Sequence, residues 1–387
     1  MHAETQSTER LVSHTYPPVV HSLTSLRFLA AAWVILFHFK EFFRGTGLET
    51  APIAMSGFLG VDFFFVLSGF VLAHVYLPKL RAGRFDYWDF LVRRVGRVYP
   101  LHVLTLAATL ALSAVAARAG VTYSIWDLGQ WMTLPKGEIS RGLFAHVTMI
   151  HAWGSTNGLI FNLPSWSISA EWFAYLLLPV FVLAMRPLLG RPLTLLAASV
   201  ALLIAMDVAR RVGTGTDLLR STWNLGTLRI LPSFVLGIAL WRFGEGITLG
   251  RRLALTGFFA ALVALVAAVQ FGAPLVVIVL LLAAIVFLCA DAERHGGLKA
   301  LQHPFPVLLG EVSYSVYLWH FPLGVLTFDA LLAQRGEVGA LGGLGLIAVV
   351  LAGITFVSWV SYLLVEVPSR KTLIAAGKRL ALAESFR

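Results

Sequence analysis

The sequence has few charged residues and only one cysteine. Asp, Glu, Lys and Arg make up 13% of the 387 residues, whereas about 25% is usual in a soluble domain. The lone Cys289 excludes a framework of intramolecular disulfides. The first 20 residues lack an apolar core before a small-residue cleavage site, so they do not resemble a cleavable signal peptide. We expect residues 1–21 to be a disordered cytoplasmic tail.

Apolar residues, in contrast, are in excess, because they account for 58% of the chain and must face lipid. About 20 mainly apolar residues cross the roughly 30 Å of hydrocarbon in a bilayer. The sequence therefore predicts an all-α integral membrane protein, a bundle of about ten transmembrane helices in one domain at 22–368. The predicted spans cover about residues 22–43, 57–77, 98–117, 164–184, 193–209, 227–243, 252–270, 273–290, 304–331 and 341–366.

The basic residues, which give a formal net charge of +10, concentrate in alternate connections between the spans. This distribution favours a membrane-orientation signal over a nucleic-acid partner, and it places both termini in the cytoplasm. Residues 369–387 then form a basic cytoplasmic tail. The longest loop on the opposite side, about 118–163, is predicted to cover the helices. It carries Trp126, Trp131, His146, His151 and Trp153.

Two ionisable residues, Arg27 and His38, lie eleven residues apart in the first predicted span. At 100° per residue they fall within about 20° of each other on one helix face. Ionisable residues at membrane depth usually face a bundle interior or a wet cavity. One interpretation is that Arg27 extends to the interface while His38 hydrogen-bonds a neighbouring helix. The functional interpretation makes His38 a base, because neutral imidazole accepts a proton near pH 7.

Further charged residues occur at the ends of other spans. Asp62, isolated among phenylalanines, is predicted to pair with a cation or a histidine. Arg93, Arg94 and Arg97 follow in the segment FLVRRVGRVYPLH. The positive-inside rule explains them, but Arg93 and Arg97 are also one helical turn apart, as a phosphate site requires. Glu366 is predicted to pair with an arginine of this segment.

The later spans carry polar side chains at helical spacing. Glu171 either orients a histidine, as in a catalytic triad, or pairs with an interfacial cation. Trp166 anchors the interface or stacks on a sugar. Ser313, Tyr317 and His320 share one helix face, where they form a hydrogen-bond network or line a substrate channel. No histidine pair has the spacing of a metal site, so no metal is expected.

Five segments together resemble acyltransferase family 3 of membrane proteins, and the similarity covers about residues 22–368. They are the first span with Arg27 and His38, then GVDFFFVLSGF, RRVGRVYP, SWSISAEWFAY and SYSVYLWHFP. The resemblance implies a ten-helix protein of the bacterial inner membrane that moves acyl groups from acyl-CoA to hydroxyls, mostly of glycans. It also implies that Arg27 and His38 form the essential pair of the family.

The expected activity is transfer of an acyl group, acetyl by resemblance, from cytoplasmic acyl-CoA to a hydroxyl of a glycan or lipid-linked sugar. Direct transfer and a covalent acyl-histidine are both open. The alternative is a multi-pass transporter with an intramembrane His/Asp/Glu relay, against which the lack of an inverted repeat argues. The expected site comprises His38 with Glu171 for catalysis, Arg27, Arg93, Arg94 and Arg97 for the donor, and Asp62, Trp166, Ser313, Tyr317 and His320 for the acceptor.

Overall fold

A computed structural model describes residues 16–43, 47–120, 129–335 and 340–385, and within these ranges the chain forms helices and turns without a strand. The longer helices are α1 (His21–Phe39), α2 (Gly60–Arg81), α3 (Tyr87–Arg118), α4 (Lys136–Val147), α5 (Trp166–Leu176), α6 (Leu178–Met185), α7 (Pro192–Thr214), α8 (Gly226–Gly246), α9 (Arg251–Gln270), α10 (Leu275–Arg294), α11 (Pro304–Arg335), α12 (Ala340–Ser361) and α13 (Val367–Ser385).

The predicted membrane bundle is confirmed. Eight helices of the described ranges are long and apolar enough to cross a membrane, and a bent pair raises the number to nine. All ten predicted spans coincide with helical structure. The span predicted at 304–331 lies in α11, a helix of 32 residues with a polar face that is not among these eight or nine. The chain is thus a multi-pass, all-α membrane protein.

The span predicted at 164–184 is broken. It consists of Leu163–Leu176 and Leu178–Leu188, whose axes differ by 57°. Pro179 lies in the first turn of α6. Proline has no N–H to donate, and its ring collides with the carbonyl four residues earlier in a continuous helix, so the helix bends there.

Helix α3 begins at Tyr87, well before the predicted span 98–117. The side chain of Asp86 caps its first turn by accepting a hydrogen bond from the backbone N–H of Asp89 at 3.0 Å. Such a cap satisfies a donor that the helix itself leaves unpaired. The arginine segment 93–97, predicted to lie in a loop, is therefore helical, and its side chains have fixed directions around the helix axis.

Helices α2 and α8 cross in direct backbone contact. A Cβ on Gly69 would lie 2.0 Å from the carbonyl oxygen of Phe234, and a Cβ on Gly237 would lie 2.0 Å from that of Val66. Small residues allow such an approach between membrane helices. This crossing fixes how the two helices are rotated, so Asp62 and Arg229, about two turns away on α2 and α8, also face each other.

Helix α12 continues through one turn of π-helix, Tyr362–Glu366, into α13. Single π-turns frequently occur at functional sites. Helix α13 packs against α3, where Gly96 lies close to the backbone of Arg370. The predicted basic tail is consequently helical as far as Ser385. Of the predicted N-terminal tail, the described part begins at Tyr16, whose side chain is buried.

Two ends of the bundle are named here by their residues. The basic end carries the end of α2 and the start of α3, with Lys79, Arg81, Arg84, Arg93 and Arg94. The loop end carries the connection between α3 and α5, of which residues 129–165 are described. Trp126 of the predicted cover lies outside the described residues. In the described part, His146 and His151 are buried and Trp153 donates a hydrogen bond to the carbonyl of Ser169.

Candidate active site

A cavity of about 150 Å³ lies between α1, α2, α3, α5 and α11. Its wall along α2 is apolar except for Ser68, and the other helices contribute most of its polar side chains. Six of the residues predicted for the site line it, namely Arg27, Arg94, Arg97, Glu171, Ser313 and Tyr317. The sequence therefore predicted over half of its polar lining, although these residues come from four different helices.

Two arginines of α3 face the cavity. The guanidinium of Arg94 lies 5.7 Å from the ring of Tyr175, and its Nε is buried without a hydrogen-bond partner in the described ranges. Arg97 forms a 2.8 Å ion pair with Glu366, which is 1% exposed. This pairing was predicted. Arg93, in contrast, forms a surface ion pair with Asp89 at 2.7 Å and does not line the cavity.

The predicted phosphate pair of Arg93 and Arg97 is thus replaced by Arg94 and Arg97. Arg93 lies 100° around the helix from Arg94, and Asp89, one turn earlier, keeps its side chain at the surface. Arg97 is three residues from Arg94, which leaves the two guanidiniums about 60° apart on the cavity face.

Arg27 enters the cavity from α1. Among the residues that the structure describes, it has no hydrogen-bond partner, and its charged neighbours are Arg97, Glu366 and Glu171. The guanidiniums of Arg27, Arg94 and Arg97 therefore lie near the carboxylates of Glu171 and Glu366. A net positive charge remains, which attracts anionic groups of a ligand.

Glu171 does not orient His38. Its carboxylate accepts hydrogen bonds from the hydroxyls of Ser68 on α2 and Tyr175 on its own helix. Tyr175 is four residues from Glu171 and also contacts Arg94. Glu171 is thereby fixed in the cavity wall on the arginine side, away from its predicted place beside the histidine.

His320 occupies that place instead. Its Nε2 lies 3.0 Å from Nδ1 of His38, and the two rings are 5.0 Å apart. Nδ1 of His320 donates to the carbonyl of Tyr317, so its Nε2 accepts a hydrogen bond from the N–H at Nδ1 of His38. The lone pair of His38 then resides on Nε2. This assignment follows from the hydrogen-bond pattern, and it gives His38 the tautomer of an oriented base.

Tyr317 connects the cavity to these two histidines. Its hydroxyl lies 2.8 Å from Oγ of Ser167 and donates to the carbonyl of Pro164 at 2.9 Å. Its ring is 5.6 Å from that of His320. Ser313, one turn earlier, bonds the carbonyl of Gly310 within its own helix. The polar stripe predicted on α11 is therefore real, and it runs from the cavity to the histidine pair.

Asp62 and Trp166 lie outside the cavity wall. Asp62 forms a 2.6 Å ion pair with Arg229 of α8, and the two side chains are 0% and 1% exposed. Arg229 also lies over the ring of Trp166, 5.0 Å from its centroid. The predicted pairing of Asp62 with a cation is confirmed. The predicted contact of both residues with an acceptor is not supported, because their polar and aromatic groups are occupied inside the protein.

Arg229, near the start of the span predicted at 227–243, is the main residue that the sequence analysis did not single out. An arginine inside an apolar run, matched by a lone aspartate in another run, is the signal that identifies the pair. Ser68 and Tyr175 were also missed. Tyr175 is one helical turn from Glu171, which indicates a shared face.

Within the described ranges, no group of three or more His, Cys, Asp or Glu side chains is arranged to hold a metal ion. The polar side chains that line the cavity are guanidiniums, hydroxyls and the carboxylate of Glu171. With the adjacent imidazole pair they form an arrangement suited to binding an anion and moving a proton.

Comparison with known proteins agrees with this chemistry. A family model described as an acyltransferase domain matches residues 20–365. The acyltransferase MdmB of Streptomyces mycarofaciens is 30% identical over 325 residues, which are 78% of each chain. BcsY of Komagataeibacter xylinus, named as a membrane-bound transacylase, is 29% identical over 89% of this chain and 81% of its own.

The O-acetyltransferase OatA of Staphylococcus aureus is 23% identical over 95% of this chain, which spans 60% of that relative. No solved structure matches the chain. Since the family model covers most of the sequence, the chain belongs to acyltransferase family 3 and is a membrane O-acyltransferase.

Proposed function

We propose that the protein transfers an acyl group, acetyl in the simplest case, from cytoplasmic acyl-CoA to a hydroxyl of a glycan or lipid-linked sugar. The observation that carries this proposal is the cavity itself. Arg27 and Arg94 face it without hydrogen-bond partners in the described ranges, and its far end meets the hydrogen-bonded His38 and His320 through Tyr317.

The donor is inferred from charge and shape. Acyl-CoA combines phosphates with a long, narrow arm that ends in a thioester. Arginine binds phosphate oxygens in a bidentate manner and remains charged in a partly buried site. Arg94 and Arg27 are available at the basic end, while Arg97 is partly neutralised by Glu366. The arm would then follow the apolar wall of α2 towards Tyr317.

His38 is proposed to be the general base. The acceptor hydroxyl gives its proton to Nε2 of His38 while its oxygen bonds to the thioester carbonyl carbon. The carbon–sulfur bond then breaks, and the leaving thiolate of CoA takes the proton from His38. The products are an ester and free CoA, and no further reactant is required. His320 keeps the proton of His38 on Nδ1, so that the lone pair that would accept the acceptor's proton is on Nε2.

The orientation follows from the same residues. The basic end carries the arginine segment 93–97, and positive charges remain mainly on the cytoplasmic side. The donor then enters from the cytoplasm and the acceptor from the loop end. We place the protein in the bacterial inner membrane, with both termini cytoplasmic.

A thiol-release assay tests the proposal. The protein, purified in lipid nanodiscs, is supplied with acetyl-CoA and crude envelope glycan, and free CoA thiol and acetyl ester are both measured. We expect His38→Gln to reduce the rate at least 100-fold, as loss of a general base does, while CoA binding remains. His303→Gln is the matched control, because His303 is exposed and lies outside the cavity. Equal rates in His38→Gln and the wild type would refute the role of His38.

Sealed vesicles test the orientation separately. Inside-out vesicles, which expose the cytoplasmic face, are expected to consume added acetyl-CoA, whereas right-side-out vesicles are not. Consumption from the external face alone would place the donor at the loop end and contradict the proposed roles of Arg27 and Arg94.

A further inference from the structure

A second cavity, of about 130 Å³, lies at the loop end between α4 and the segment 156–160. It shares no residue with the cavity of the candidate active site, which is lined by Arg27, Arg94 and Arg97 and is called the arginine cavity below. Its polar side chains are those of Gln130, Glu138, Arg141, Thr156 and Asn157. The remaining wall consists of two leucines, an isoleucine and two glycines. None of the site residues discussed above reaches this cavity.

The cavity rests on a buried stack of three histidines. The ring of His146 lies 3.9 Å from that of His151 at an interplanar angle of 8°, and His102 of α3 lies 5.5 Å from His151, nearly parallel to it. All three are at most 3% exposed. The stack joins α3, α4 and the loop after α4, so it fixes the wall of the second cavity to the bundle.

Two contacts connect the histidine stack to the wall of the cavity. Nδ1 of His146 donates to the carbonyl of Gly142, which lines the cavity. Gly142 also lets the opposite wall approach, because a Cβ at this position would lie 2.2 Å from the side chain of Ile160. The site is therefore preformed, and ligand binding needs little reordering of the chain.

The wall of the second cavity leads directly to the active site. From Ile160 the chain reaches Pro164 in four residues, at most about 14 Å. Asn162 on the way is 1% exposed and donates to the carbonyl of Leu318 at 3.0 Å. The carbonyl of Pro164 accepts the hydrogen bond of Tyr317 at the end of the arginine cavity. An acceptor that occupies the second cavity would therefore have to extend beyond one sugar ring to bring a hydroxyl near the histidine pair.

The chemistry of the lining selects the ligand class. Glu138 and Arg141 balance each other in charge, so the cavity does not favour a phosphate as the arginine cavity does. Asn157 donates to Oε1 of Glu138 at 3.2 Å, which holds the carboxylate in place and leaves its other oxygen for a donor from a ligand. A fixed carboxylate, two amides and a guanidinium together match the alternating donors and acceptors of neighbouring sugar hydroxyls.

We propose that the second cavity binds a neutral saccharide unit of the acceptor. The proposal rests on the proposed acyl transfer and specifies its second substrate as a neutral oligosaccharide that extends from this cavity to His38. Glu138 and Asn157 recognise the hydroxyls, and the histidine stack holds their supporting wall in place.

Binding is measured first, without a donor. Labelled tetrasaccharides of glucose and of N-acetylglucosamine are equilibrated with the protein in nanodiscs. We expect at least one to bind the wild type, and Glu138→Gln combined with Asn157→Ala to weaken it at least tenfold. That is the loss of about 1.4 kcal/mol expected for two hydrogen bonds. Ser140→Ala is the matched control, since Ser140 lies on the same helix but bonds only its own backbone.

Kinetics then separates the two proposals. With the bound tetrasaccharide as acceptor, the double variant should raise the KM for the saccharide at least tenfold and leave the KM for acetyl-CoA unchanged. Saccharide binding that is equal in the double variant, absent in the wild type, or displaced by inorganic phosphate overturns the saccharide site. Saccharide binding without any release of CoA thiol would instead support the site and reject the donor chemistry.

Discussion

The ion pair of Asp62 and Arg229 provides a quantitative test of whether Asp62 supports the fold or contacts a substrate. The pair has an N–O distance of 2.6 Å, and its side chains are 0% and 1% exposed. Arg229 also donates to the carbonyls of Ser221 and Phe58. In Asp62→Ala this guanidinium remains buried without its counter-charge, which destabilises a protein by about 3–5 kcal/mol.

The expected shift in melting temperature follows from size. Unfolding of 387 residues carries an entropy of about 0.8 kcal/mol/K, so the loss corresponds to a Tm lower by about 4–6 °C. Thermal unfolding in one detergent, followed by tryptophan fluorescence, measures it. Replacing both partners, as Asp62→Leu with Arg229→Met, should recover most of the loss, because no buried charge is left unpaired.

The acceptor kinetics complete this test. If Asp62 supports the fold, the double replacement retains the KM for the acceptor. The structural assignment would be refuted by an Asp62→Ala variant with unchanged Tm and a strongly raised acceptor KM, since Asp62 would then contact the acceptor.

Three further predictions concern other parts of the site. Arg94→Gln should raise the KM for acetyl-CoA at least tenfold and Arg93→Gln less than twofold, because of these two residues only Arg94 faces the cavity. Initial rates at varied acetyl-CoA concentration measure both KM values. Glu366→Gln should strengthen acetyl-CoA binding measured by calorimetry, since Arg97 is then no longer neutralised by a carboxylate. Burial lowers the pKa of His146 to about 3. The free energy of unfolding should therefore decrease as pH falls from about 6.5, and the loss should reach about 2 kcal/mol at pH 5. Hydrogen exchange of the backbone amides of α4 measures this loss.

Each of these has a contrasting outcome. Equal KM values for acetyl-CoA in Arg93→Gln and Arg94→Gln would show that the donor does not bind on the face of α3 that lines the cavity. Unaltered binding in Glu366→Gln would assign the carboxylate to helix packing alone. For His146, the sign follows from protonation: the unfolded chain binds a proton below about pH 6.5 while the buried ring stays neutral. If the free energy of unfolding has the same pH dependence in His146→Gln as in the wild type, His146 is not the cause of that dependence.

The sequence was sufficient for the fold because the membrane imposes a single simple pattern. Long apolar segments predict spans directly, and the spacing of Arg27 and His38 predicts a common helix face. Four residues of the cavity, Arg27, Glu171, Ser313 and Tyr317, followed from this reasoning, because polar residues within apolar helices usually face the interior of a bundle. Arg94 and Arg97 were predicted from the basic segment 93–97 instead.

The partners of these residues could not be read from the sequence, because they depend on contacts between helices. Asp62 meets Arg229 only because α2 and α8 cross at Gly69 and Gly237. Likewise, the choice between Glu171 and His320 as the neighbour of His38 depends on where α5 and α11 lie relative to α1. The assignment of Arg94 rather than Arg93 required the true start of α3, which the cap at Asp86 determines.

The 57° bend between α5 and α6 also affects how far the proposed donor would travel. Helix α5 has 11 residues and rises only about 16 Å, roughly half the hydrocarbon thickness. Its last turn holds Tyr175 beside Arg94, so these two side chains lie about half a span's length from the start of α5 at the loop end. In the proposed acyl transfer, the thioester of the donor would therefore cross only about the remaining half of the bundle to reach the histidine pair.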